Sequence, residues 1–256
     1  LREMHTGSTT AGGVALSADA TMVAAGTHDG EIHVFEASTG KPVATLEGPS
    51  GAVAAMVFDT TGERLLTGGA DGSLWVWKRD RGTFERIWHS DSPMRDLVFH
   101  PSGVSLAVAT EAGEVWLLDV GTWTPRRVHH HEGRLYGIAF HPEGQHLALA
   151  SSNGNAFVLR LDGQVLRTFG GHRSEVNAVA VSPDGKLVVT GSDDASVRLW
   201  RFSDGRPVWR GLAAVGDPPF AFNHHGWKSL DDSGAAPAEP WRSEEHTSEL
   251  QSRLHL

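Results

Sequence analysis

VNAVAVSPDGKLVVTGSDDASVRLW, residues Val176 to Trp200, decides the fold of this 256-residue chain. An apolar run through Val176, Val179 and Val181 ends at a turn, Pro183-Asp184-Gly185. A second run, Leu187 to Thr190, meets a tight turn at Asp193-Asp194-Ala195, and a third ends at Trp200. A Gly-containing turn at Asp204-Gly205 then leads into a fourth strand from Arg206 to Arg210. Short β-branched runs bounded by Gly, Pro, Asp and Ser read as strands, so this stretch predicts one four-stranded antiparallel unit.

The unit recurs. GGVALSADATMVAAGTHDGEIHVF, VAAMVFDTTGERLLTGGADGSLWVW, MRDLVFHPSGVSLAVATEAGEVWLL and LYGIAFHPEGQHLALASSNGNAFVL repeat its grammar upstream. Anchored on the residue before each first turn (Ser17, Asp59, His100, His141, Ser182), the spacings are 42, 41, 41 and 41. One twisted sheet of this size cannot bury both faces, and radial stacking of neighbours solves that problem.

On these residues the chain resembles the WD40 β-propeller family over residues 1–230. The resemblance implies an all-β fold of four-stranded antiparallel blades. Five full blades are expected, over residues 7–48, 49–89, 90–130, 131–171 and 172–211, with partial blades on either side. A degenerate sixth blade is expected to start within 212–230, where Phe220, Phe222, Asn223 and Gly226 fall at the slots of Val179, Val181, Ser182 and Gly185. Leu1 to Met4 fits the last strand of a preceding blade. The expected shape is an open arc, poorly soluble when expressed alone because two blade faces lack neighbours. The strand-c Trp of the family stands at Trp77 and Trp200, with Phe35, Leu118 and Leu159 elsewhere; the Asp that names the repeat follows only Leu118, as Asp119.

The resemblance also implies a buried polar series in each blade: a His before the first strand, a Ser or Thr on the second, an Asp in the next turn, and the Trp. Blade 5 matches with His172, Ser192, Asp194 and Trp200. Blade 2 keeps Asp71 and Trp77 with Pro49 near the His slot, blade 1 keeps Asp29, and blade 4 keeps His131 with Asn153. Blade 3, with Ser90, Ala112 and Leu118, has lost the series. A structural role is expected for these residues, because buried indole and imidazole groups need partners. That role also covers His131 within His129-His130-His131, and consecutive strand residues face opposite ways, so no metal site is expected there. No nucleophile elbow, P-loop or HExxH stretch appears, and no catalytic residue or cofactor is assigned.

Function is therefore expected in surface recognition. The resemblance places the usual interaction surface on the face reached by residues entering the first strand and by the residue before the turn Asp. Those positions carry Arg95, Glu111, Arg134, Tyr136, Glu175, Asn177 and Asp193 on blades 3 to 5, against Ala52, Ala54 and Ala70 on blade 2. Arg and Tyr are enriched at binding hot spots. The expected function is a non-enzymatic scaffold or sensor binding protein partners, within a larger signalling polypeptide, bacterial in type, that carries a fused catalytic domain. The alternative is a propeller enzyme or small-ligand binder using the central channel; the alanines of blade 2 count against it.

A net charge of -9 argues against a phosphate-binding face for nucleic acid. No apolar run is long enough to span a membrane and no signal peptide is visible, so a cytoplasmic location is expected. The absence of Cys excludes disulfides and thiolate metal sites. Residues 231–241, DDSGAAPAEPW, read as linker. Arg242 to Ser252, RSEEHTSELQS, match the translation of a short-read library adapter at every position, so residues 242–256 are expected to be translated adapter and no domain.

Overall fold

The computed structural model describes residues 11–212, 221–223 and 226–228. Blade 1 comprises β1 (Ala11–Leu16), β2 (Met22–Thr27), β3 (Glu31–Glu36) and β4 (Pro42–Glu47). Blade 2 comprises β5 (Val53–Phe58), β6 (Arg64–Gly69), β7 (Ser73–Lys78) and β8 (Thr83–His89). Blade 3 follows with β9 (Met94–Phe99), β10 (Ser105–Thr110), β11 (Glu114–Asp119) and β12 (Pro125–His130). Blade 4 has β13 (Leu135–Phe140), β14 (His146–Ser151), β15 (Ala156–Arg160) and β16 (Val165–Phe169). Blade 5 has β17 (Val176–Val181), β18 (Leu187–Ser192), β19 (Ser196–Arg201) and β20 (Pro207–Leu212). Each is an antiparallel meander in sequence order, and a short hairpin, β21 (Ala221–Asn223) with β22 (Gly226–Lys228), follows. Apart from that hairpin, the expected sixth-blade start lies outside the described residues. So do Leu1 to Met4, the linker-like stretch and residues 242–256.

The turns explain the glycines. In the first turn of blades 2 to 5, Gly62, Gly103, Gly144 and Gly185 all sit at φ between 72° and 75°, a region that costs an L side chain about 1–2 kcal/mol. Blade 1 forces Ala20 into the same place at φ 56°. The second turn repeats the pattern. Gly30, Gly72, Gly113 and Gly154 are left-handed, and blade 5 places Ala195 there at φ 59°. Trp123 at φ 57° stands where blades 1, 2 and 5 have Gly40, Gly82 and Gly205. Among the described residues, every non-Gly residue of positive φ thus marks a repeat position that another blade fills with Gly.

The innermost strands touch in the row β1, β5, β9, β13, β17, and β21 lies beside β17. The core sits in the seams between blades, not within them. Ala24, Ile32 and Val34 of blade 1 pack on Val53, Met56 and Phe58 of blade 2. Leu74 and Val76 pack on Met94, Leu97 and Phe99, and the pattern continues through the next two seams. Blades diverge outward, and larger rings fill the wedge: Trp88 meets Trp116 at 5.3 Å across the seam of blades 2 and 3. The position before this seam is informative. Met56, Leu97, Ile138 and Val179 are all buried, whereas their blade 1 equivalent, Val14, is 71% exposed. Leu16 beside it is 42% exposed. Blade 1 therefore presents a seam face with no neighbour upon it among the described residues.

Polar bonds also cross the seams. Asp96 Oδ2 accepts the Ile138 amide at 2.9 Å, joining β9 to β13. His100 Nδ1 accepts the Ser102 amide, which leaves Nε2–H to donate to the Gly144 carbonyl at 3.1 Å in the next blade. His141 does the same with Glu143 and Gly185. A Cβ at Gly144 would lie 2.2 Å from His100 Nε2, so those first turns nest too closely for any side chain.

Candidate partner-binding face

The second turns of the blades and the loops between blades share one end of the arc. The Ser50 amide donates to Asp71, the Ala112 amide to Ser92, the Arg134 amide to Ser152 and the Arg173 amide to Asp194. The buried series lies just beneath this rim in blade 5. Trp200 Nε1 donates to Thr190 Oγ1 at 2.9 Å, and Thr190 lies 2.7 Å from His172 Nε2. His172 Nδ1 faces Asp194 Oδ2 at 3.1 Å. A carboxylate only accepts, so Nδ1 carries the proton, the Thr190 hydroxyl donates to Nε2, and every group is satisfied.

The hydroxyl in this series is Thr190, not Ser192, which corrects the assignment made from the sequence. Thr190 and Ser192 share a face of β18, and Thr190 sits one pleat deeper, within reach of both rings. Ser192 Oγ instead accepts the Asp194 amide and donates to the Ser174 carbonyl, closing the turn above. Asp194 also takes the Ser196 amide and hydroxyl. Burial alone would raise the Asp194 pKa, but the bonds from Ser196, the Arg173 amide and His172 outweigh it and hold the carboxyl well below its usual range. Burial lowers the His172 pKa, and the facing Asp194 only partly offsets that. The His172 side chain is fully buried and that of Asp194 nearly so, and their bonds are spent inside the blade.

Other blades keep pieces of the series. Asp71 accepts from Ser73 and Ser50, while Pro49 presses against Gly69 where the His would enter. Trp77 is buried, and Thr67, the counterpart of Thr190, has a buried hydroxyl with no partner among the described residues. Asp29 accepts the Thr27 hydroxyl beside buried Phe35. His131 bonds Asn153 at 3.1 Å and packs on Phe157, and burial, then the neighbouring His129, lowers its pKa. His129 turns to the Gly163 carbonyl instead.

On the rim itself the structure brings the predicted surface residues together. Each innermost strand carries a β-bulge at one repeat position, leaving Gly12, Ala54, Arg95, Tyr136 and Asn177 unpaired in the ladder. Bulges re-aim side chains, and the three large ones meet partners on the rim. Arg95 donates to Glu111 at 2.6 Å and lies over the Tyr136 ring at 5.8 Å. Arg134 approaches the other oxygen of Glu111 at 3.5 Å, and its pKa is raised by Tyr136 first and Glu111 next. The Tyr136 hydroxyl donates to Glu175 at 2.8 Å, and Asn177 bonds Asp193. All seven residues expected from the sequence form one polar strip across blades 3 to 5. The bulge that gathers them is invisible in the sequence, because it lies in strand pairing, not residue type.

The opposite end holds a groove of about 390 Å³ lined by Val57, Phe58, Val98, Phe99 and Phe140, among others. Two of its polar members are engaged: Asp59 pairs with Arg64 at 2.7 Å and His100 holds the Gly144 carbonyl. Among the described residues no cluster of His, Cys, Asp or Glu is arranged to hold a metal ion, and no helix is long and apolar enough to cross a membrane.

Comparison with known families matches the WD domain, G-beta repeat model at residues 40–78, 123–158 and 163–201. A search of curated proteins finds no match. Each matched stretch begins near the outermost strand of one blade and ends at the third strand of the next, so the sequence repeat straddles a seam. The unmatched stretch between the first two includes β9, β10 and β11, where the His, Asp and Trp of the series are replaced. Five antiparallel four-stranded sheets of one period, together with these matches, assign the chain to the WD40 repeat family.

Proposed function

We propose that this chain is a non-enzymatic scaffold whose protein partner docks on the rim of blades 3 to 5, over Arg95, Glu111, Arg134, Tyr136, Glu175, Asn177 and Asp193. WD40 repeats serve as protein-interaction scaffolds in general. One observation carries the finer reading: the bulged residues of three adjacent blades supply Arg, Tyr and Asn to a single connected strip, while blades 1 and 2 offer only Gly12 and Ala54. Arg and Tyr, with little entropy to lose once prepositioned, suit a docking surface. A cytoplasmic setting within a larger signalling polypeptide belongs to the same reading, and the complete reading frame tests that part.

The docking face is tested by affinity capture with the full chain from an extract of its source. Arg95→Glu with Arg134→Glu is expected to lose the captured partner, while Arg160→Glu at the opposite end retains it. Equal capture by both variants overturns the assignment of this face.

A further inference from the structure

We infer that the Arg95–Glu111–Arg134 cluster is a clamp for one acidic side chain of the partner, with Glu111 as its internal placeholder. This rests on the docking reading above and names the chemistry of the partner. Two guanidiniums from adjacent blades converge on a single carboxylate: Arg95 reaches one oxygen of Glu111 at 2.6 Å and Arg134 the other at 3.5 Å. The pair carries more donors than one carboxylate can accept. Arg95 Nε is buried with no acceptor among the described residues, and the Arg134 side chain is 58% exposed. The cluster keeps a net charge of +1 and a surplus of planar donors, which matches an incoming carboxylate.

The surroundings restrict what that carboxylate belongs to. Glu175, held by Tyr136, and Asp193, held by Asn177, stand next along the strip. A run of acids laid across the rim would meet both, and like charges in apposition are disfavoured. A segment with one acid among neutral or basic residues meets the arginines with its acid and the flanking carboxylates with its cations. Exposed ion pairs are individually weak, so a preformed clamp contributes selectivity more than affinity.

The test uses the full chain and three synthetic twelve-residue peptides: one Glu within Gly, Ser and Lys, the same peptide with Gln for Glu, and a run of Glu. Binding is followed by NMR of the arginine side-chain Nε–H signals, with Arg64 and Arg127 as internal controls. The single-Glu peptide is expected to shift Arg95 and Arg134 selectively. Its Gln counterpart should bind about fivefold more weakly, as befits loss of a charged hydrogen bond. Glu111→Gln should tighten the single-Glu peptide about threefold or more, because the placeholder no longer competes. Equal binding of the Glu and Gln peptides, stronger binding of the acidic run, or weaker binding to Glu111→Gln each overturns the clamp. If the clamp fails while the rim reversal still abolishes partner capture, the docking face stands and only its chemistry is wrong.

Discussion

Thr190 and Thr67 occupy the same repeat position in blades 5 and 2, and the same substitution should act on them with opposite sign. In Thr190→Val the shape is nearly kept, but Trp200 Nε1, at 2.9 Å, and His172 Nε2, at 2.7 Å, both lose their partner. Each buried group left unpaired costs about 1–3 kcal/mol, and the added methyl returns less than about 1 kcal/mol, so a loss of roughly 2–4 kcal/mol is expected. In Thr67→Val the hydroxyl removed is buried and already unpartnered. Its deletion should leave stability unchanged or raise it by about 1 kcal/mol. Urea unfolding followed by Trp fluorescence compares the two. Hydrogen exchange at the Arg173 and Ser196 amides, both bonded to Asp194, reads blade 5 locally. A loss of equal size at both sites, or a Thr190→Val cost under about 0.5 kcal/mol, would refute the reasoning that hydrogen-bond satisfaction, and not packing, sets the value of this position.

Three further outcomes are expected. Ala195→Gly relieves a left-handed alanine at a position four other blades fill with Gly, and should stabilise by about 0.5–1 kcal/mol in the same unfolding assay. Because burial lowers the His172 pKa below its unfolded value near 6.5, the neutral ring's contribution is complete above that pH and is lost as pH falls from about 6.5 toward the folded pKa; the urea midpoint should drop between pH 7.5 and 5.5, and a flat profile would contradict it. Val14→Asp with Leu16→Asp changes exposed apolar residues on the seam face of blade 1, so sedimentation velocity should show less self-association with stability shifted by no more than about 0.5 kcal/mol.

The blades were legible because the spacing from Ser17 to Ser182 and the recurring turn glycines are local signals that survive one sequence. The rim residues were legible too, since position within a period assigns them to one end. What escaped was depth. Thr190 and Ser192 lie on one face of β18, and only the reach of His172 from the preceding loop determines which hydroxyl it meets. The staples from His100 to Gly144 and from His141 to Gly185 were hidden for a related reason. Both histidines served as markers of the period, yet their bonds run to the following blade, a partnership that exists only once the seams have formed.

The bulge on each innermost strand has an evolutionary consequence. Its backbone path is the same in all five blades while its side chain ranges over Gly12, Ala54, Arg95, Tyr136 and Asn177. A residue excused from the ladder can mutate without disturbing the pairing on either side, except at Gly12, where a Cβ would lie 2.6 Å from the Val53 carbonyl oxygen. The arc thus behaves as a fixed typeface carrying a short, rewritable word, and partner choice in such a chain can drift by single substitutions while the scaffold that displays them stays still.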